Sequence, residues 1–127
     1  MGLLSKLFSK KEPKSIEFIQ SKNFRGFNKY KISNYDYPEA QENIKKLQNV
    51  NPNLDFKGMT IRLEFITCSN GTDALAVFVE NMRVGTIFFG DGNWAALRTA
   101  FLENTISAVY VKANGTNDFY LYAKVEV

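Results

Sequence analysis

The chain has 127 residues, 45% of them hydrophobic, with eleven Phe and six Tyr; this suits one domain whose core needs neither disulfide nor structural metal. It has no histidine and one cysteine, Cys68, which excludes Ser-His-Asp triads, Cys–His nucleophiles, His-bearing zinc sites and an internal disulfide within this chain. The net charge of +3 is unevenly spread: residues 1–14 carry four Lys against one Glu, residues 15–60 seven basic against five acidic residues, and residues 61–127 five against seven, so a polyanion would meet the front half.

Residues 1–14 read as a basic, apolar arm ahead of a single domain over 15–127. Leu3, Leu4, Leu7 and Phe8 share one helical face, with Lys6, Lys10 and Lys11 elsewhere. Such an arm can touch an anionic membrane or fray and dock on its own domain. It is too short for a signal peptide or a membrane span, and Lys6 stands where myristoylation needs Ser or Thr.

A first strand is predicted around Tyr30-Lys31-Ile32. Asp36 is placed to cap a helix with Pro38 in its first turn and Glu39 as the capping-box acid. Ala40, Ile44 and Leu47 then recur at helical spacing, predicting an amphipathic helix over 37–49 that Asn51-Pro52-Asn53 ends. Met59 to Thr67 alternates, with Ile61, Leu63 and Phe65 on one side and Arg62 and Glu64 on the other, as a half-buried strand does. Asn70-Gly71-Thr72-Asp73 is a turn. Strands follow over 75–79 and 84–89, joined tightly at Asn81-Met82, and Cys68 in its apolar stretch predicts a buried free thiol. Asp91 caps a second helix, near 91–103, with Trp94, Leu97, Phe101 and Leu102 inward. A last hairpin, 105–112 with 119–127, turns around Asn114-Gly115. The expected fold is α+β: a six-stranded, mostly antiparallel curled sheet or small β-barrel with two flanking helices.

The stretch Leu63 to Leu102 resembles a HIRAN domain. The residues that carry the likeness are Asn70-x-x-Asp73, Ala76-Val77, Val84-Gly85, and Leu97 with Leu102, with Gly58 ahead of the Met59 strand. The family usually has Pro-Tyr where this chain has Gly71-Thr72, and often Tyr where it has Thr86. The resemblance implies a small, OB-related barrel that captures the 3′ end of single-stranded DNA. It implies further that Asp73 accepts a hydrogen bond from the terminal hydroxyl and that Asn70 shapes the loop. Tyr35 or Tyr37 would stack on the terminal base, and Lys29 and Lys31 would meet phosphates.

Each of these residues also has a purely structural use. Asn70 and Asp73 can bond their own backbone in a tight connection. Tyr35 and Tyr37 can form a hydrophobic staple at the helix start. The run Phe24, Arg25, Phe27, Lys29, Tyr30, Lys31 interleaves aromatic and basic residues and can track a single strand, or it can be a strand with rings inward and lysines outward. Tyr110, Tyr120 and Tyr122 on the last hairpin suit a protein partner or cross-strand pairing. The expectation is a non-catalytic, cytoplasmic binding module for single-stranded DNA, with no cofactor, metal or small-molecule substrate. The alternative is a protein-interaction or membrane-peripheral adaptor.

Overall fold

The structure, a computed structural model, describes residues 14–34, 38–69, 71–88 and 94–126. In chain order its elements are β1 (Ser15–Ile19), β2 (Asn28–Ile32), α1 (Pro38–Val50), β3 (Thr60–Thr67), β4 (Asp73–Val79), β5 (Met82–Phe88), α2 (Trp94–Leu102), β6 (Ile106–Ala113) and β7 (Phe119–Val125). All strand pairs are antiparallel, in a four-stranded sheet ordered β1-β3-β4-β5 and a three-stranded sheet ordered β2-β7-β6. The α+β class holds. The six-stranded single sheet or barrel is corrected to seven strands in two sheets among the described residues. The added strand is β1, whose Ile16 and Phe18 lie against Leu63 and Ile61 of β3.

The two inner faces share one core with the helices, filled by Ile32, Leu63, Val77, Leu97, Phe101 and Phe119, all fully buried. At one seam Ser33 N–H donates to Thr86 O (2.7 Å) and Thr86 N–H donates to Ser33 O (2.9 Å), joining the end of β2 to the edge of β5. A Cβ on Gly85 would lie 2.5 Å from Ile32 Cγ2 and would also strike Ser33 O, so only glycine lets β2 come this close. The same stretch carries a bulge: Val77 faces Gly85 and Phe78 faces Arg83, leaving Val84 as the extra residue.

At the opposite seam Ser21 N–H donates to Val109 O (2.9 Å). Beside it the buried Gln20 side chain takes the place of a strand neighbour: Nε2 donates to Val111 O (2.9 Å) and Val111 N–H donates to Oε1 (2.8 Å). Each seam is one or two residues wide, so the strands do not close into a continuous ladder.

Helix α1 buries Ala40, Ile44 and Leu47 as their spacing requires, and packs on β5, where Asn43 Nδ2 donates to Arg83 O (2.9 Å). Helix α2 buries Leu97, Ala100 and Phe101, an i, i+3, i+4 face. Leu102, expected inward, is 40% exposed; five residues after Leu97, it falls well away from that face. Lys14 Nζ donates to the Phe101 and Leu102 carbonyls (3.0 and 2.9 Å), a cation at the carbonyl end of the helix, where Phe101 O also accepts the Asn104 N–H (3.3 Å). The β4–β5 turn is Glu80-Asn81, one residue earlier than expected. Both have positive φ (50° and 66°), and Val79 faces Met82, the geometry of a two-residue hairpin. The caps expected at Asp36 and Asp91, and the burial of the Trp94 side chain, lie outside the described residues.

Candidate nucleic-acid interface

Alternation along β2, along β7 and along β6 from Val109 onward, past a bulge near its start, sends one set of side chains to the core and the other to solvent. In β2, Tyr30 and Ile32 are buried while Lys29 and Lys31 are exposed. In β7, Phe119, Leu121 and Ala123 are buried while Tyr120 and Tyr122 are half-buried on the other side. Register then fixes two rows across the solvent face: Lys29–Tyr122–Tyr110 and Lys31–Tyr120–Lys112.

The rows are in contact. Lys29 Nζ and Lys31 Nζ sit 4.1 and 4.7 Å from the centre of the Tyr120 ring. Lys31 also bonds Asp118 Oδ1 at 2.5 Å, both side chains being largely exposed. Phe24, in the loop before β2, folds back on this face, with its ring centre 4.2 Å from Tyr122 and 4.8 Å from Tyr110. Lys112 Nζ stands 5.1 Å from the centre of the Phe24 ring. Hydrogen bonds from Lys31 and then Tyr120, with the nearby lysine charges, hold the Asp118 carboxyl below its ordinary value, so it is ionised at neutral pH. On the inner side, burial pushes the Tyr30 phenol upward, partly opposed by a hydrogen bond with Asn28.

The run from Phe24 to Lys31 therefore divides. Tyr30 turns inward, as an ordinary amphipathic strand requires, whereas Phe24 joins Lys29 and Lys31 outside. The three hairpin tyrosines belong to the same surface. In sequence they stand apart from the lysines, since nothing local says that β2 pairs with β7. The signal available was the alternation Phe119-Tyr120-Leu121-Tyr122-Ala123 next to Asn28-Lys29-Tyr30-Lys31-Ile32.

The turn before β4 lies elsewhere. Asp73 opens β4 and pairs with Arg98 of α2 (Nη2 to Oδ2, 3.2 Å), whose guanidinium lies 5.6 Å from the centre of the Phe65 ring. Asn70, Tyr35 and Tyr37 lie outside the described residues. Beside the turn a cleft of about 380 Å³ is lined by Ile66, Cys68, Ser69, Thr72, Arg83, Thr86 and Phe88. Arg83 Nη2 donates to Thr86 Oγ1 (2.7 Å) there. Cys68 is a free thiol, but half-buried on this cleft instead of enclosed, because its strand has already ended at Thr67. Of the expected contact residues, the structure brings Lys29 and Lys31 together around Tyr120 and gives Asp73 a partner on α2.

Among the described residues no three His, Cys, Asp or Glu side chains gather as a metal site needs, and no helix is long and apolar enough to cross a membrane. No family model, no curated protein and no solved structure matches the chain.

Proposed function

We propose that the chain is a non-catalytic module that binds single-stranded DNA across the solvent face of its three-stranded sheet. One observation carries this reading: two lysine ammonium groups of β2 gather over the Tyr120 ring, on the same face as a second aromatic group of Tyr122, Phe24 and Tyr110. Aromatic rings accept the faces of any base, and lysines beside them meet the phosphates between bases. Tyr120 and Tyr122, two residues apart on one strand, stand roughly 7 Å apart, which suits bases splayed one to a ring. The likeness to HIRAN domains supports a nucleic-acid partner and an OB-related ancestry for the two sheets. It adds a second contact, capture of a 3′ end at the Asn70–Asp73 turn, with Arg98 beside Asp73 to meet the adjoining phosphate.

The test is fluorescence anisotropy of a labelled oligo(dT) at several salt concentrations. Tyr120→Ala should weaken binding by about 1–3 kcal/mol. Lys31→Gln should lower the slope of log affinity against log salt by roughly one phosphate contact. Lys31 is exposed, so its substitution should hardly change the thermal midpoint; Tyr120 is half-buried, so Tyr120→Ala is compared at a temperature where circular dichroism shows it folded. Wild-type affinity that neither substitution alters would put DNA elsewhere on the molecule. Absence of binding would leave the adaptor reading in front.

A further inference from the structure

Tyr110 belongs to two surfaces. On one side it meets Phe24 on the aromatic face, and on the other it helps line a cleft of about 320 Å³ with Ser21, Lys22, Asp55 and Lys57. The wall carrying Asp55 is set by its neighbours in sequence, because Leu54 and Phe56 on either side are both buried. Asn51 binds the Asp55 backbone from both directions, accepting its N–H (3.2 Å) and donating to its carbonyl. The carboxylate is steadied in turn, since Oδ1 accepts the Lys57 N–H (3.2 Å). It is therefore a positioned acceptor at the edge of the aromatic face.

A carboxylate is out of place in a groove meant only for phosphates, which it repels. Its presence between two lysines and a tyrosine calls for a ligand with donors, acceptors and a flat face together. Guanine has that set. Its Watson–Crick edge offers N1–H and N2–H side by side to the two oxygens of a carboxylate, while O6 and N7 accept from cations. Thymine presents one N–H flanked by two carbonyl oxygens, which a carboxylate disfavours. Adenine and cytosine offer an amine next to an acceptor nitrogen, so one carboxylate oxygen is left opposing a lone pair.

Resting on the single-strand reading above, we infer that this cleft is a guanine-selective subsite at one position of the bound strand. Tyr110 stacks on the base, Asp55 accepts from N1–H and N2–H, and Lys22 and Lys57 meet O6, N7 or the adjoining phosphate. The aromatic face binds any base, and the cleft adds the preference.

The experiment compares a labelled oligo(dT) with the same strand carrying one deoxyguanosine at its 5′ end, its middle or its 3′ end. A second set carries deoxyinosine, which lacks N2, at those places. One guanine placement should raise wild-type affinity on the order of tenfold, as a two-bond base contact does. Inosine should forfeit most of the gain. Asp55→Asn should abolish it, while oligo(dT) affinity holds or rises because a carboxylate that repels phosphate is gone. The asparagine keeps an oxygen for the Lys57 N–H, so the loop keeps its shape. Equal affinity for all placements, or a guanine preference that survives Asp55→Asn, overturns the subsite and leaves the sheet-face reading standing. No binding of any strand by the wild type overturns both.

Discussion

Lys31 shows how much a single position can be asked to do. Its ammonium lies over the Tyr120 ring and also bonds Asp118. A phosphate arriving at this face would compete with that carboxylate. The pair is exposed, and pairs of that kind add little to stability. The Asp118 carboxyl titrates below its ordinary range. A group depressed in this way contributes above its unfolded value and loses the contribution as pH falls through its folded value. The pair is therefore intact through the neutral range and is lost in acid, as pH falls below the ordinary carboxylate value. Asp118→Asn should release Lys31, tighten oligo(dT) binding several-fold at low salt, steepen the salt dependence and leave the thermal midpoint almost unchanged. Unchanged or weaker binding would mean that Lys31 does not face the DNA.

At the scale of elements, the seam between β1 and β6 is the weak line of the fold, because a side chain does there what a strand does elsewhere. The Gln20 amide answers both the N–H and the carbonyl of Val111 in a buried place. Gln20→Ala leaves both groups without a partner, at a cost of about 2–4 kcal/mol, which corresponds to a fall of roughly 10 °C in the unfolding midpoint of a domain this size. Urea unfolding of the variant measures the loss directly, and a change under 1 kcal/mol would show that the seam opens to water. This seam was not legible beforehand. Glutamine after a short apolar run gives no local sign that it will stand in for a strand. The β1 strand itself had a faint sign: Ile16 and Phe18 alternate with Ser15 and Glu17 over only five residues, and Ile19 at its end is 65% exposed. Helix α1 was legible because three buried positions repeat at helical spacing. In helix α2 the burial of Leu97 and Phe101 was legible; Leu102 is apolar, but its angle about the helix axis turns it outward, and the Trp94 side chain lies outside the described residues. The Val84-Gly85 pair stood out in the sequence, but its reason, the close pass of Ser33 behind Gly85, depends on a contact between strands far apart in the chain.

For the molecule as a whole, the same limit explains what was seen of the site. Lys29 and Lys31 were visible as an exposed pair on a strand, and the hairpin tyrosines were visible as alternating. Their union needed the β2–β7 pairing, a link across some ninety residues of chain. Charge pointed the same way at coarser grain, since the basic front half supplies β2 to the edge of a sheet otherwise built from the acidic back half. The two candidate contacts, the aromatic sheet face and the cleft beside the Asn70–Asp73 turn, lie on different sheets, so one measurement separates them. Amide chemical shifts of the labelled protein, followed during titration with a short oligo(dT), locate the strand. The largest shifts are expected at Lys29, Lys31, Tyr110, Lys112, Tyr120 and Tyr122, with smaller ones near Asp73. Shifts confined to Ser69, Thr72, Asp73 and Arg83, or none at saturating oligonucleotide, would contradict it.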